Sequence, residues 1–436
     1  MTDAPDGPFA ALSVSATAPA VAELPFVPLL LSSVARTLPG SRLALVGGAV
    51  RDLLLHRLHR DPWRGLPDLD LVVEQGPQDP LPGVAAAHRL AQALQQQAPA
   101  APGTPLRCQF HDAFGTVELD LDGVLIDLAT ARRESYPRPA ENPQVRFARL
   151  EDDLARRDLT INAMALVLGP GGEALLDPFE GQRDLALRRL HFLHEQSLRD
   201  DPTRLLRAAR YAGRLGFHLS AASRRQASVT LEAWPWPWRP GDPPGQAPPA
   251  LGTRLRMELE LLLEREPWPQ ALEALQQWGG LQLLDPALQA DRSWPLRLRW
   301  AARAGVAPLT ALLAILEQPL PLAERLQLPH RQHRLLEGLQ RLRQRLGELP
   351  PEARHWPPSR WSEVLEAHGW LPEVVPLALV AGLGPRRPLL RWWLRWRHLR
   401  SAESARDLIA AGMLPGPALG EALALRRRQR LDAERR

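Results

Sequence analysis

The chain has 436 residues and not one lysine; all 54 basic residues are arginine. Arginine codons are rich in G and C and lysine codons are not, so a GC-rich coding sequence accounts for much of the bias. Its chemical consequence holds regardless. A P-loop lysine, a protein-kinase lysine, a lysine nucleophile for covalent nucleotidyl transfer and a Schiff-base lysine are all excluded. Any phosphate chemistry here falls to arginine, backbone amides and metal. Cysteine is almost missing as well: Cys108 stands alone, which excludes an internal disulfide and a cysteine-cluster metal site. No apolar run reaches the about 18 residues that a spanning helix needs, so no membrane partner is expected. The first twenty residues, MTDAPDGPFAALSVSATAPA, hold Asp3 and Asp6 but nothing basic. They lack the positive start of a secretory signal, and residues 1–25 read as a flexible leader of a cytoplasmic protein.

What is present describes a folded chain. Hydrophobic residues make up 45% and charged residues 24%, within the range of globular proteins. The length suggests about two to four domains. A net charge of +5 and a pI near 10.5 point weakly to a polyanionic partner. Basic residues gather near the end, in RRPLLRWWLRWRHLR (386–400) and RRRQRLDAERR (426–436). Such stretches suit a phosphate backbone. The first suits equally a solvated helix face with Trp392, Trp393 and Trp396 as core.

Hydrophobic patterning divides the chain. LALVGGAV, DLDLVV, GTVELDLDG and VLIDLA read as short strands, with a helix around AAAHRLAQALQQQ. From about 180 onward, leucine- and arginine-rich helices follow one another. WPWPWRPGDPPGQAPP (234–249) can be neither helix nor central strand, because proline removes donors, and it reads as an inserted loop. The expected fold is a small α+β head followed by an all-helical neck, body and tail.

Four stretches carry chemistry. In DLDLVV, Asp68 and Asp70 project from one face of a strand, about 6–7 Å apart along the chain, while Leu69 and Leu71 face a core. Two such carboxylates repel unless a cation sits between them, and a divalent metal with oxygen ligands fits. A polar strand entrance is the plainer alternative. In LALVGGAVRDLLL (43–55) a strand runs into Gly47 and Gly48 and then a helix opening near Val50. Paired glycines there let backbone N–H groups approach a phosphate, with Arg51 next to them. DLARRDLTINAMAL (153–166) sets Arg156, Arg157 and Asp158 before an apolar segment containing Asn162, which also reads as a capped helix start. LRDDPTRLLRAARYAGRLGF (198–217) spaces Asp201, Arg204, Arg207 and Arg210 three apart, so they form a slowly winding stripe on a helix. A carboxylate and a guanidinium together can satisfy base edges without a template strand.

In this order and spacing, GG-A-V-R-D, D-x-D, R-R-D-x-T-x-N-A and D-D-P-x-R-x-L-R-x-x-R strongly resemble the class II tRNA nucleotidyltransferase and bacterial poly(A) polymerase family. The resemblance extends to LIDLATARRESYPRPAENPQV (125–145), LLDPFEGQRDL (175–185), TRLRMELELLL (253–263) and the last thirty residues. It implies a nucleotidyltransferase head over 26–168, a base-recognising neck over 169–265, and a tRNA-binding body and tail over 266–436. It implies Mg²⁺ on Asp68 and Asp70, activating the primer 3′ hydroxyl for attack on the α-phosphorus. Gly47, Gly48, Arg51, Arg157 and Asn162 would hold the nucleotide. Asp201 and Arg204 would read its base, with Arg207 and Arg210 lining the same pocket. Asp127 is a possible third carboxylate by strand position, and Glu134 and Arg138 fall in the family's flexible-loop region.

The implied activity is template-independent addition or repair of the 3′-terminal CCA of tRNA from CTP and ATP, releasing pyrophosphate, with no obligate protein partner evident. A-adding-only enzymes, CC-adding-only enzymes and poly(A) polymerases share the motifs. CC-only members tend to lack part of the flexible loop, and the segment from Asp127 to Arg156 is not obviously shortened, which favours full CCA or A addition. Outside this class stand a non-catalytic RNA-binding protein, which would be expected to lose Asp68 and Asp70 first, and a metal-dependent nuclease, which needs no base-reading row. The chain departs from the pattern in Asp200-Asp201 for the usual Glu-Asp, in a slightly longer link from Arg51 to Asp68, and in the Trp-Pro stretch.

Overall fold

The computed structural model describes residues 20–434 apart from 64, 67, 68, 78, 80, 82, 98–105, 113, 114, 122, 367 and 368. Asp68 and residues 1–19 of the expected leader therefore lie outside the described residues. Chain contacts divide the molecule into two compact units, with the boundary between Pro237 and Trp238. That boundary falls inside the expected neck.

The first unit is built on a seven-stranded mixed sheet. Its strands are β1 (Arg42–Val46), β2 (Leu69–Glu74), β3 (Leu106–His111), β4 (Thr116–Leu121), β5 (Val124–Thr130), β8 (Ala165–Gly169) and β9 (Gly172–Leu176), in the order β3-β4-β5-β2-β1-β8-β9. Only β2 and β5 pair in parallel. Between β5 and β8 in sequence, β6 (Arg132–Ser135) and β7 (Gln144–Phe147) form a separate hairpin. Strand period sorts the side chains. Leu43, Leu45, Leu71 and Val73 are buried on one face. Ala44, Val46, Val72, Ala131 and Ala165 form a cluster on the other with Leu150 and Leu154 of helix α4 (Leu150–Ala155). Earlier helices are α1 (Val27–Thr37), α2 (Gly48–His59) and α3 (Ala86–Gln97). Residues 20–25 already belong to the fold: Val21 and Leu24 are buried and the Val21 N–H donates to Glu173 at 2.7 Å.

The strand over 165–169 differs from the helix start read in 153–166. Asp158 leads into a 3₁₀ turn at Thr160–Asn162, and AMALVLG then pairs with β1. An apolar run that short is compatible with either element, and its partner strand decides. Beyond β9 come α5 (Gly181–Ala186), the two-residue parallel pair β10 (Arg189–Leu190) and β11 (His218–Leu219), α6 (Ser197–Asp200), α7 (Thr203–Leu215) and α8 (Ala221–Ala233). Leu205, Leu206, Ala208 and Ala209 bury one side of α7, and Gly216 closes it with φ +69°.

Among its described residues the second unit is built of helices, from α9 (Thr253–Arg265) to a final helix at Pro417–Ala433. Trp392 and Trp396 are core, as the plainer reading of 386–400 held, and the Arg397 guanidinium stacks 3.5 Å from the half-buried Trp393 ring. Trp238 covers the buried Arg325 guanidinium at 4.5 Å. Burial pushes Arg325 down to about 10, against the opposing charge of Asp285, so it stays charged at neutral pH.

Candidate active site

Asp70 shares the strand parity of Val72 and Asp127 that of Ala129 and Ala131, so both carboxylates leave the sheet on the α4 face. The two are register partners on the parallel strands β2 and β5, about 4.8 Å apart by strand spacing. Asp127 is exposed and Asp70 half-buried. Oxygen donors side by side on one face suit a hard divalent cation. Among the described residues no cluster of three or more candidate metal ligands occurs; Asp68, two residues before Asp70, is outside that set.

The end of β1 delivers the glycine turn to the same place. Gly47 has φ +74°, and a Cβ built there would lie 3.0 Å from Arg157 Nη1 and 3.4 Å from Asp70 Oδ2. Backbone, guanidinium and carboxylate thus converge at Gly47, where only a hydrogen side chain leaves room. Helix α2 begins at Gly48, two residues earlier than expected from sequence. Arg157 donates from Nη2 to Asp153 at 3.1 Å, while its buried Nε has no hydrogen-bond partner. The Arg157 Nη1 group beside the glycine backbone suits a phosphate oxygen.

Asp153 is the anchor that the sequence did not disclose. It is fully buried, accepts from Arg156 Nε at 2.9 Å and from Arg157, and takes the Arg132 N–H at 3.3 Å. Burial opposes its ionisation, but the Arg156 and Arg157 guanidinium groups outweigh that and hold it below the ordinary carboxylate range. Arg156 also reaches Glu134 Oε1 at 3.0 Å, where Arg132 joins at 3.1 Å and the Tyr136 hydroxyl donates to Oε2 at 3.2 Å. The β6–β7 hairpin is in this way tied to the arginine pair. Its turn is tied elsewhere: Ala140, with φ +64° and no exposure, donates its N–H to the Asp200 carbonyl at 3.0 Å. Arg138 is exposed.

The structure places Arg51 and Asn162 inside the molecule instead of on an open pocket wall. Arg51 is 2% exposed, bonded to Asp52 at 2.8 Å and to Asn162 Oδ1 at 2.8 Å, with its guanidinium 5.0 Å from the Tyr211 ring. Those partners leave its fork no outward direction. Asn162 donates in turn to Asp158 Oδ1 at 3.2 Å, and Asp158 Oδ2 lies 2.9 Å from Arg207 Nε. Asp158 is fully buried; burial is opposed by the charge of Arg207 and the Asn162 hydrogen bond, and its carboxyl stays below the usual range. A line of polar contacts therefore runs from α2 through the 3₁₀ turn to α7. Tyr211, one turn from Arg207 on α7, was not among the residues singled out, and only its contact with Arg51 reveals it.

Asp201 sits just ahead of α7 and accepts from the Thr203 N–H at 3.0 Å and hydroxyl at 2.6 Å, so it caps the helix it precedes. Arg204 is 5% exposed; Nη2 donates to the Arg156 carbonyl at 3.0 Å and Nη1 lies 3.3 Å from His194 Nε2. Burial, then the Arg204 charge, hold His194 below the ordinary imidazole range, leaving it neutral and able to accept. Tyr136 faces Arg204 with its ring 5.8 Å from the guanidinium. Arg207 and Arg210 are half-exposed along the same helix.

This arrangement has relatives. The family model of the poly(A) polymerase head domain matches residues 43–191. A CC-adding tRNA nucleotidyltransferase from Deinococcus radiodurans is 35% identical over 394 residues, covering 88% of this chain and 84% of that protein. The chain belongs to the class II tRNA nucleotidyltransferase and poly(A) polymerase family. An A-adding family member from Halalkalibacterium halodurans is 37% identical over 195 residues, 44% of this chain and 40% of its own. A solved CCA-adding enzyme in its apo form II has a TM-score of 0.69 at 26% identity, over 98% of this chain and 96% of that one. The Thermotoga maritima CCA-adding enzyme complexed with tRNA-CCA has a TM-score of 0.67 at 25% identity, over 98% and 95%. The α+β head and helical remainder are those of this nucleotidyltransferase family, the chain is a nucleotidyltransferase, and membership implies use of a divalent metal.

Proposed function

We propose that the protein builds or repairs the 3′-terminal CCA of tRNA from CTP and ATP without a template, releasing pyrophosphate, and that Mg²⁺ is its metal. The observation that carries this reading is the convergence of Gly47, Arg157 and Asp70 at one point, beside Asp127. Asp68 and Asp70 would hold the ion, with Asp127 as a third carboxylate. When bound, the ion would favour the alkoxide form of the primer hydroxyl and neutralise charge on the triphosphate. The chain's own groups do the rest. Backbone N–H groups at Gly47–Gly48 and the Arg157 guanidinium hold phosphate oxygens. Asp153 fixes Arg157 from behind, and the Arg51–Asn162–Asp158 line orients Arg207. Asp201 and Arg204 would read the base edge, Arg204 by turning its guanidinium away from the Arg156 carbonyl and His194. The head over 26–168 supplies catalysis, the neck over 169–265 base selection, and the body and tail over 266–436 the grip on tRNA.

A second reading, addition of the two cytidines alone, is supported by the CC-adding relative matched along most of both chains. The segment from Asp127 to Arg156, not obviously shortened, argues the other way. Both readings share the two CTP steps. The deciding assay supplies Mg²⁺, CTP and ATP, singly and together, with tRNAs ending at the discriminator base, at CC and at CCA. Growth of the shortest by three residues and then a stop supports full CCA addition, and a stop after two supports CC addition. Long adenylate tails, or no extension at all, overturn the proposal.

A further inference from the structure

The Trp-Pro stretch has no explanation in the motifs, yet its first four residues belong to the first unit and its first two tryptophans are held there. Trp234 ends α8 in the left-handed region, with φ +45°. Its ring meets that of Trp236 edge to face, with centroids 5.0 Å apart. Trp236 is 4% exposed, and its indole N–H donates to the Arg199 carbonyl at 3.0 Å. The next carbonyl along the chain, that of Asp200, accepts from Ala140. Two successive carbonyls immediately ahead of Asp201 are therefore held by two distant segments, residues 140 and 236. Arg199 and Asp200 are the last two residues of a single four-residue turn, α6, which has little internal bonding to fix its own direction.

We propose that Trp236 is a positioning residue for nucleotide selection: its indole N–H fixes the α6–α7 joint and thereby the direction in which Asp201 and Arg204 face the incoming base. The inference rests on the assignment of those two residues as base readers. Trp236 touches neither substrate nor reacting atoms in this scheme. It sets the angle of the segment that does, and a loosened joint lets Asp201 accept from the wrong base edge as readily as from the right one. Selectivity then falls while triphosphate handling by Gly47 and Arg157 persists.

The test compares W236F, which keeps an aromatic ring and removes the N–H, with W238F, D201A and the full-length wild type. The readout is the ratio of kcat/KM for CTP to that for ATP on a tRNA ending at the discriminator base. Loss of one neutral hydrogen bond at the joint predicts a fall in this ratio of about three- to tenfold in W236F. The KM for tRNA and the Tm are expected to stay near those of the wild type. W238F, whose indole N–H serves Pro243 instead, is expected to keep the ratio. W236H, which restores a ring N–H, is expected to recover part of it, and supplies the ratio if W236F fails to fold. An unchanged ratio in W236F alongside a changed one in D201A overturns the proposal, as does an equal loss in W238F. An unchanged ratio in D201A overturns the base-reader assignment beneath it.

Discussion

Gly47 and Gly48 are adjacent and look alike in sequence, but the structure predicts opposite responses to alanine. Gly47→Ala places a Cβ at φ +74°, a conformation that costs about 1–3 kcal/mol for a residue with a side chain. The same Cβ meets Arg157 Nη1 at 3.0 Å, so that guanidinium must yield by a few tenths of an ångström. Arg157 is braced by the buried Asp153 and has little freedom to do so. With misplacement of about 1 Å costing roughly 100-fold, a shift of this kind should lower kcat/KM about tenfold or more, beside a stability loss of about 1–3 kcal/mol. At Gly48 the added Cβ finds its nearest atom, Arg51 Nη2, at an ordinary 3.4 Å, and the residue starts α2. Alanine retains the N–H and favours helix by up to about 1 kcal/mol, so Gly48→Ala should be neutral or stabilising, with an activity loss clearly smaller than that of Gly47→Ala. Urea denaturation and single-nucleotide incorporation kinetics on the two variants decide the matter. A G48A variant as damaged as G47A, or an undamaged G47A, would refute the convergence of backbone, guanidinium and carboxylate at this turn.

Asp70→Ala should abolish incorporation while leaving tRNA affinity unchanged in a filter-binding measurement; retained turnover contradicts the metal assignment. Asp153→Asn strips the counter-charge from Arg156 and Arg157 and should cost about 3 kcal/mol of stability, as removal of one partner of a buried pair does. The native pKa values of Asp153 and Asp158 are depressed, so these groups contribute their full stabilisation above the unfolded carboxylate pKa of about 4 and lose it as pH falls toward the lower native values. Stability measured from pH 6 downward should therefore decline more shallowly in D153N than in the wild type, and parallel curves would refute the pairing. Trp238→Ala uncovers Arg325 and deletes a buried ring, with an expected loss of about 3 kcal/mol read from denaturant midpoints.

The strand carrying Asp70, the glycine turn, the helix that follows it and the helix carrying Arg204, Arg207 and Arg210 were legible because each carries its own period or turn chemistry. Strand β3 was not, since LRCQFH mixes polar and apolar residues and its partner β4 supplies the decision. Asp153 resembled any acidic residue in a first helical turn. Only the packing of α4 on the sheet carries it inside, where its charge needs the two arginines. Arg51 misled for the reverse reason: adjacency to a phosphate-type turn suggested an outward side chain, whereas Asn162, more than a hundred residues away, draws it in. Sequence spacing shows which groups share an element. It does not show which element another will cover.

The β6–β7 hairpin also constrains how this enzyme can change. Glu134 and Phe147 lie on its inner side, while Arg133 and Arg146, register partners of each other, lie on the outer one. Because strand side chains alternate, inserting or deleting one residue within either strand would exchange the sides and turn Glu134 away from Arg156. Viable length variation is therefore confined to the turn at 136–143, or must come in steps of two. A survey of tolerated indels should show gaps of even length in the strands and of any length in the turn.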